Sequence, residues 1–197
     1  MTCYAACCLQ RTVQKRIIHV EGSSICIGAI LSITPALADN WTLIPDESTL
    51  TFSGTQGGTQ FDGRFERFTA SIALTPANLE QSDIEITIDM ASAVTGSADR
   101  DTTLPGSDWF DVSAHPTALF KSTDIVAAEN GYVAHGTLTM KGTSHNVSLP
   151  FTLSINGDIA HAEGGLTIDR TSFAVGTGAL SAMAGNDVNI QFDIKAT

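Results

Sequence analysis

From residue 41 onward the chain consists mainly of short runs in which apolar and polar residues alternate. Alternation with a period of two predicts β-strands that bury one face and expose the other. The alternating runs predict about eight strands, at 49–53, 65–74, 84–89, 118–126, 132–140, 147–155, 159–168 and 188–195. The pattern therefore predicts an all-β domain.

Turn-forming pairs separate several of these runs. Asn130-Gly131, Lys141-Gly142 and Asn156-Gly157 stand between neighbouring runs, where glycine supplies the positive φ that tight hairpins require. Pro150 interrupts the 147–155 run and predicts an edge or bulge position. Sequential hairpins form an antiparallel meander, which either closes into a barrel or stacks as a sandwich, and periodicity does not choose between them. The absence of the Cys, Trp, Cys pattern of antibody-type sandwiches favours the barrel.

One segment departs from the strand pattern and predicts a short helix. Ser97 stands at a helix N-cap position, Asp99 and Asp101 follow in the first turn, and Pro105 ends the helix. The next segment, 108–111, places two large aromatic residues between two aspartates. We expect this helix and aromatic turn to form a lid over one end of a barrel.

Residues 1–38 have the features of a cleaved signal peptide. Three basic residues precede an apolar run at 25–33, and the segment ends in Ala-Leu-Ala at 36–38. The apolar run is shorter than the about 20 residues of a membrane span. The alternative is that 25–33 is a buried element of the domain. We expect a mature domain at 39–197 in the periplasm or outside the cell.

Charge and cysteine content change once this leader is removed. All four cysteines lie in the leader, so the mature domain has no disulfide. The whole chain carries a net charge of −11; the leader holds one acid and three bases, which leaves 20 acids and 7 bases, a net charge of −13. Such an acidic surface repels phosphate backbones, and we expect no nucleic-acid partner.

The mature chain has few candidates for chemistry. His115, His135, His145 and His161 are not spaced as a metal or catalytic pair, and we expect them to face solvent. The strands could still bring the last three together as a surface metal site. There is no glycine-rich phosphate loop, no Gly-x-Ser-x-Gly motif and, in the mature chain, no cysteine nucleophile. We therefore predict neither an enzyme nor a resident metal or cofactor.

Asp99, Arg100 and Asp101 allow a catalytic or a structural interpretation. An arginine held by carboxylates or by backbone carbonyls would pin the lid helix to the barrel. Carboxylates paired in this way have a lowered pKa, which is the wrong direction for a general acid. We favour the structural role.

The remaining candidates are apolar and point inward by strand parity. They either fill a barrel or line a pocket for one small ligand, and the residues alone favour the filled core. This inward set is Leu50, Phe52, Phe65, Phe68, Ile72, Ile84, Ile86, Ile88, Phe120, Leu138, Met140, Phe151, Ile168 and Phe192.

Several ordered motifs resemble one known family. They are 41–48 (WTLIPDES), 61–65 (FDGRF), 88–96 (IDMASAVTG) with 99–101 (DRD), Leu104, 108–111 (DWFD), 115–122 (HPTALFKS), 136–142 (GTLTMKG) and 169–173 (DRTSF). Together they resemble the YceI-like family of exported polyisoprenoid-binding proteins, in the branch associated with cytochrome b561. The chain departs from the family pattern at Ser172 and at 174–176.

The resemblance implies a fold, a ligand and partners. It implies an eight-stranded antiparallel lipocalin-like barrel with a short helical lid, which binds an isoprenoid quinone or polyprenyl lipid for transport, storage or scavenging. It implies no catalysis and a membrane cytochrome b561 as a candidate partner. We expect a monomer or a homodimer. The alternative is a structural or interaction protein with a packed core.

The resemblance also assigns roles to residues. Asp99, Arg100, Asp101 and Arg170 are expected to act as structural ties. The apolar wall of the ligand site is expected to consist of Phe52, Phe65, Phe68, Ile86, Ile88, Leu104, Trp109, Phe110, Phe120, Leu138, Met140, Phe151 and Phe173.

Overall fold

The alternating runs form one antiparallel sheet in the computed structural model, which describes residues 39–179 and 181–197. The predicted leader and its cleavage site lie outside the described residues. The strands are β1 (Asn40–Thr42), β2 (Thr49–Gln56), β3 (Thr59–Phe65), β4 (Phe68–Ala73), β5 (Asp83–Asp89), β6 (Ala93–Val94), β7 (Thr117–Ala128), β8 (Gly131–Met140), β9 (Thr143–Asn156), β10 (Ile159–Asp169) and β11 (Asp187–Ala196).

The sheet curls into a barrel in which β1 joins β4 to the end of β11. The strand order is β1-β4-β5-β7-β8-β9-β10-β11-β2-β3-β6. While β1 pairs with β4, the Thr42 N–H donates to Thr197 O at 2.6 Å and the Ile44 N–H donates to Lys195 O at 2.8 Å, beside the end of β11. The all-β antiparallel class is confirmed, whereas the expected count of eight strands is wrong: the described residues form eleven.

The predicted strand at 65–74 is confirmed as β4 over 68–73, but its predicted start is wrong because two strands divide this region. Phe65 ends β3, which pairs with β2 and β6, and β4 begins at Phe68 and pairs with β1 and β5. We call the gap between β3 and β4 the seam. A tight turn at Gly57 and Gly58, with φ of 59° and 79°, joins β2 to β3. The sequence pattern misses β3 because its one glycine, Gly63, interrupts the alternation. A Cβ added at Gly63 would overlap the Phe52 ring.

The predicted glycine turns are confirmed. Lys141 and Gly142 have φ of 48° and 72° and join β8 to β9, and Gly157 has φ of 62° between β9 and β10. The edge position of Pro150 is also confirmed, since β9 pairs with β10 only from Phe151 onward. Pro150 lies where β9 and β10 separate, so its missing N–H costs no hydrogen bond on that side.

The helix predicted after Ser97 is present as α1 (Ala98–Thr103), and it is followed by the aromatic turn. We call α1 and residues 104–111 the lid. Short 3-10 helices occur at Pro45–Glu47, Leu79–Gln81, Met90–Ser92, Arg170–Phe173 and Ser181–Met183. None of the helices within the described residues has the length and hydropathy to cross a bilayer.

The core lies inside the curled sheet and under the lid. Every member of the inward set is either buried or packed against the buried cluster. Phe110 and Leu104 of the lid belong to the same cluster as Phe52 and Phe65 of the barrel. The lid is therefore an integral part of the core.

Candidate functional site

A cavity of about 390 Å³ lies between the lid and the end of the barrel beneath it. We call it the lid cavity. It is lined by Phe52, Gly54, Thr55, Gln56, Phe61, Phe65, Ser97, Asp99, Arg100, Thr103, Leu104, Trp109, Phe110, Met140, Ile168, Arg170, Val175, Ala184, Gly185, Val188 and Ile190. Its volume falls within the range of small-molecule sites, about 300–1,000 Å³.

Aromatic rings form one wall of the lid cavity. The ring centroids of Phe52 and Phe65 are 5.0 Å apart, and those of Phe65 and Phe110 are 6.3 Å apart. The ring of Phe52 also meets the edge of Phe61 at 6.4 Å. Gly63 lies opposite Phe52 in the β2–β3 ladder, where the absence of a side chain leaves room for the ring. The hairpin sequence thus supports a rigid, apolar wall.

Arg100 anchors the lid helix to the β2–β3 hairpin. Its Nε donates to Thr95 Oγ1 at 3.1 Å and its Nη1 donates to Gln56 Oε1 at 3.2 Å. Its guanidinium carbon lies 4.6 Å from the centroid of Phe61. Arg100 thus ties the lid helix to the barrel as expected, but its hydrogen-bond acceptors are a hydroxyl and a side-chain amide, and the expected carboxylate or backbone carbonyl acceptors are wrong.

Asp101 anchors the start of the lid. Its Oδ1 accepts from the Thr95 backbone N–H at 2.7 Å and from the Thr95 hydroxyl at 2.6 Å. The Thr95 hydroxyl hydrogen bond is the main reason why the pKa of Asp101 lies below its ordinary value, with further contributions from the Thr95 N–H and the charge of Arg100. Ser97 holds the N-cap position but makes no side-chain capping bond. Asp99 lines the lid cavity, and among the residues that the structure describes it forms no ion pair.

Arg170 lies beneath the lid and is only 3% exposed. All five of its N–H groups donate to backbone carbonyls at 2.7–3.0 Å, on Val175, Gly176, Ser181, Ala184 and Gly185. Its guanidinium carbon also lies 5.6 Å from the ring centroid of Trp109. Arg170 therefore has no N–H left for a ligand and ties the loop after β10 to the aromatic turn of the lid.

The predicted wall residues fall into four groups. Phe52, Phe65, Leu104, Trp109, Phe110 and Met140 line the lid cavity. Ile86 and Phe151 line a separate cavity of about 50 Å³ at the other end of the barrel. Phe68 lines an outer groove at the seam beside β4. Ile88, Phe120, Leu138 and Phe173 are buried but line neither interior cavity.

Sequence reasoning missed several residues that line the lid cavity. Phe61 and Gln56 lie in the β2–β3 hairpin, which the alternation did not predict in full. Val188 and Ile190 have the inward parity of the predicted strand 188–195, which could have identified them. Val175 belongs to the loop after Arg170, where no periodicity exists.

The three histidines considered for a metal site do not come together. His135 Nδ1 contacts Ser148 Oγ at 2.9 Å, and His145 Nε2 contacts Ser172 O at 2.9 Å. His135 and His161 lie opposite Ser148 and Ser154 of β9, which separates them by roughly 20 Å along the sheet. His161 instead pairs with Asp193 at 2.8 Å and with Glu163 at 3.4 Å. The suggested three-histidine site is therefore wrong.

Comparison with known proteins gives one family match and several relatives. The sequence model of the YceI-like domain matches residues 41–196. A UPF0312 protein of Vibrio cholerae is 34% identical over 87 residues, which make up 44% of this chain and 46% of the relative. The chain thus spans about half the length of that curated relative.

Two solved structures have similar folds. The crystal structure of BcnA from Burkholderia cenocepacia has 32% sequence identity and a TM-score of 0.75, over 79% of this chain and 99% of BcnA. A polyisoprenoid binding domain from Saccharophagus degradans has 16% identity and a TM-score of 0.60, over 82% of this chain and 98% of that domain. At 16% identity the second match concerns the fold alone.

Proposed function

The chain belongs to the YceI-like domain family, and from this premise we propose that it binds the isoprenoid chain of a quinone or polyprenyl lipid in the lid cavity. The observation that carries the proposal is the cavity of about 390 Å³, whose wall is built from phenylalanine rings and aliphatic side chains. A similarly folded domain is named for polyisoprenoid binding, which supports the same ligand class. The role is binding without catalysis.

The energetics of burial are sufficient for useful affinity. A carbon with its hydrogens occupies about as much volume as a water molecule, ~30 Å³, so the lid cavity holds on the order of a dozen carbons. Their burial contributes ~0.8 kcal/mol each, or roughly 10 kcal/mol in total. Association costs at least ~4 kcal/mol in lost freedom, which leaves at most roughly 6 kcal/mol, a dissociation constant on the order of tens of micromolar or weaker.

Polar groups at the rim of the lid cavity suit the head of such a ligand. Gln56, Ser97 and Thr103 line the cavity together with Arg100. Two of the five N–H groups of Arg100 carry the hydrogen bonds that anchor the lid, and others remain to donate to a quinone carbonyl or a phosphate oxygen. We assign head recognition to Arg100 because Arg170 has no N–H left to donate.

We further propose that this binding serves transport, storage or scavenging outside the cytoplasm. The basis is the leader-like sequence of residues 1–38 and the absence of cysteine from residues 39–197. A cytochrome b561 partner stays a prediction from the resemblance.

A matched pair of valine substitutions tests ligand binding. Val188 lines the lid cavity, whereas Val126 is 37% exposed on β7 and is not among the residues that line the lid cavity. Isothermal titration with a ubiquinone that has two isoprene units is expected to show at least 10-fold weaker binding for Val188→Phe and unchanged binding for Val126→Phe. Equal binding by both variants, or no binding by the unsubstituted protein, would overturn the proposal.

A further inference from the structure

Three side chains that can ligate a metal ion meet on the outer face of the barrel. His161 and Glu163 of β10 alternate with Ala160 and Ala162, which line the interior cavity of about 50 Å³, so the two polar side chains point outward. Asp193 of β11 lies directly opposite Glu163. The ligand atoms of the three side chains all lie within 4.8 Å of one another. We call His161, Glu163 and Asp193 the outer triad.

The two carboxylates of the outer triad form a like-charge pair across the sheet. Like charges directly opposite each other on neighbouring strands repel and destabilise the pairing. The next residues in the same row are uncharged, with Thr152 of β9 beside Glu163 and Thr49 of β2 beside Asp193. The row therefore carries two negative charges and no positive charge, which favours a bound cation.

The positive side chain beside the outer triad is directed mainly elsewhere. Lys195 lies opposite His161 in the β10–β11 ladder, and its Nζ pairs with Glu47 at 3.0 Å. The hydrogen bond to Glu47 is the main reason why the pKa of Lys195 is raised, and the charge of Asp193 makes a smaller contribution. Lys195 thus serves Glu47 first and only partly offsets the two facing carboxylates.

The geometry of the outer triad suits a small divalent ion. Ligand atoms about 2.0–2.2 Å from a tetrahedral zinc ion lie roughly 3.4 Å from each other. His161 Nε2 is 3.4 Å from Glu163 Oε1 and 2.8 Å from Asp193 Oδ1, so only the second distance has to widen on binding. The three side chains are 32%, 58% and 48% exposed, which lets them adjust without moving the backbone.

Water can complete the coordination of an ion held there. Glu163 and Asp193 line an outer groove of about 470 Å³, which has room for several water molecules. Three protein ligands and one water are a common zinc coordination. The groove also leaves the ion accessible from solvent.

We propose that the outer triad binds a divalent transition-metal ion of the zinc class. Imidazole nitrogen is a ligand that zinc and its neighbours accept well, whereas calcium and magnesium take oxygen ligands, and calcium takes six to eight of them. The ion replaces the proton between His161 and Asp193, neutralises the facing carboxylates and links β10 to β11. This site is independent of ligand binding under the lid, since no member of the outer triad lines the lid cavity.

Isothermal titration of the full chain with zinc chloride tests the proposal. The cysteine thiols are alkylated beforehand, because all four cysteines lie within residues 3–26 and thiolates there would compete for zinc. The unsubstituted protein is expected to bind one zinc ion per chain at its tightest site. His161→Ala and Asp193→Asn are each expected to weaken this binding at least 10-fold, and calcium is expected to bind at least 10-fold more weakly than zinc.

His135→Ala is the matched control. His135 is also exposed on the outer face, and its Nδ1 contacts the Ser148 hydroxyl at 2.9 Å. Zinc affinity should be unchanged in this variant. Zinc should also raise the midpoint of thermal unfolding of the unsubstituted protein and of His135→Ala, but not that of His161→Ala, because an ion that binds only the folded state stabilises it.

Thermal unfolding without zinc checks that each variant is folded, and Glu163→Gln replaces any that is not. Absence of zinc binding by the unsubstituted protein, or equal zinc affinity in His161→Ala, would overturn the site. A loss in His135→Ala as large as that in His161→Ala would overturn it as well. Calcium binding as tight as zinc binding would overturn the assigned metal class. Ubiquinone binding should be the same in all these variants, so failure of the metal site leaves the proposed function in place.

Discussion

Two arginines under the lid have different environments, and the difference separates a structural residue from a ligand-binding one. Arg170 is buried, and backbone carbonyls accept all five of its N–H groups. Arg100 is less buried and makes two hydrogen bonds at the cavity rim. The sequence places both arginines next to acidic residues, whereas the backbone and side-chain groups that they contact are set by the fold.

Replacing Arg170 is expected to destabilise the fold. Arg170→Met leaves five carbonyls without their donor, and each buried unsatisfied acceptor is costly, so we expect a loss of at least about 3 kcal/mol in the free energy of unfolding. Arg170→Lys supplies three donors in a different geometry and should recover only part of this loss. Urea denaturation measures both values.

The control for this substitution is Arg64→Met. Arg64 forms an exposed ion pair with Glu66 at 2.8 Å, and exposed pairs typically contribute less than about 1 kcal/mol. A loss for Arg170→Met no larger than that for Arg64→Met would contradict the structural role assigned to Arg170.

At the scale of elements, the lid is held by short polar contacts at its first turn. Thr95 donates twice to Asp101, and this lowers the pKa of the Asp101 carboxyl. A carboxylate with a lowered folded-state pKa contributes stability above its unfolded-state pKa. That contribution is lost as the pH falls through the folded-state pKa. The attachment of the lid should therefore weaken in acid, below about pH 4.

Thr95→Val tests this attachment because it removes the hydroxyl donor and keeps the backbone donor. The variant should be less stable than the original protein at pH 7, and the difference should shrink as the pH falls through the lowered pKa of the Asp101 carboxyl and the carboxylate is lost in both proteins. Thr102→Val serves as the control, since the Thr102 hydroxyl donates to Ala98 O and contacts no carboxylate. Thermal unfolding at several pH values measures the effect, and a pH-independent difference for Thr95→Val would contradict it.

The sequence predicts most strands but misses β3 for a physical reason. Alternation identifies strands whose inward positions carry apolar side chains. In β3 one inward position is Gly63, because the ring of Phe52 from the neighbouring strand occupies that space. Without an apolar side chain at Gly63 the alternating pattern is lost from the sequence, although β3 still pairs with β2. The turns were predictable because positive φ at Gly142 and Gly157 is a local requirement.

At the scale of the whole molecule, the barrel is open under the lid and packed at the opposite end. Parity along a strand indicates which side chains point inward, but not how deep along the barrel each one lies. Phe120 and Phe52 are equally inward by parity, yet Phe52 lines the lid cavity and Phe120 is buried and lines neither interior cavity. The choice between a filled interior and a ligand pocket was therefore not available from sequence, and the structure contains both.

The two tryptophans of the chain allow the most direct test of ligand binding under the lid. Trp109 lines the lid cavity, and Trp41 lines the cavity of about 50 Å³ at the other end of the barrel. Trp41→Phe leaves Trp109 as the only indole, and Trp109→Phe leaves Trp41. A ubiquinone with two isoprene units is then titrated against each variant while tryptophan fluorescence is recorded, because a quinone quenches indole emission at short range.

Binding in the lid cavity predicts saturable quenching of Trp109 with one ligand per chain and little quenching of Trp41. Equal quenching of both tryptophans, or quenching that rises linearly without saturation, would contradict the account.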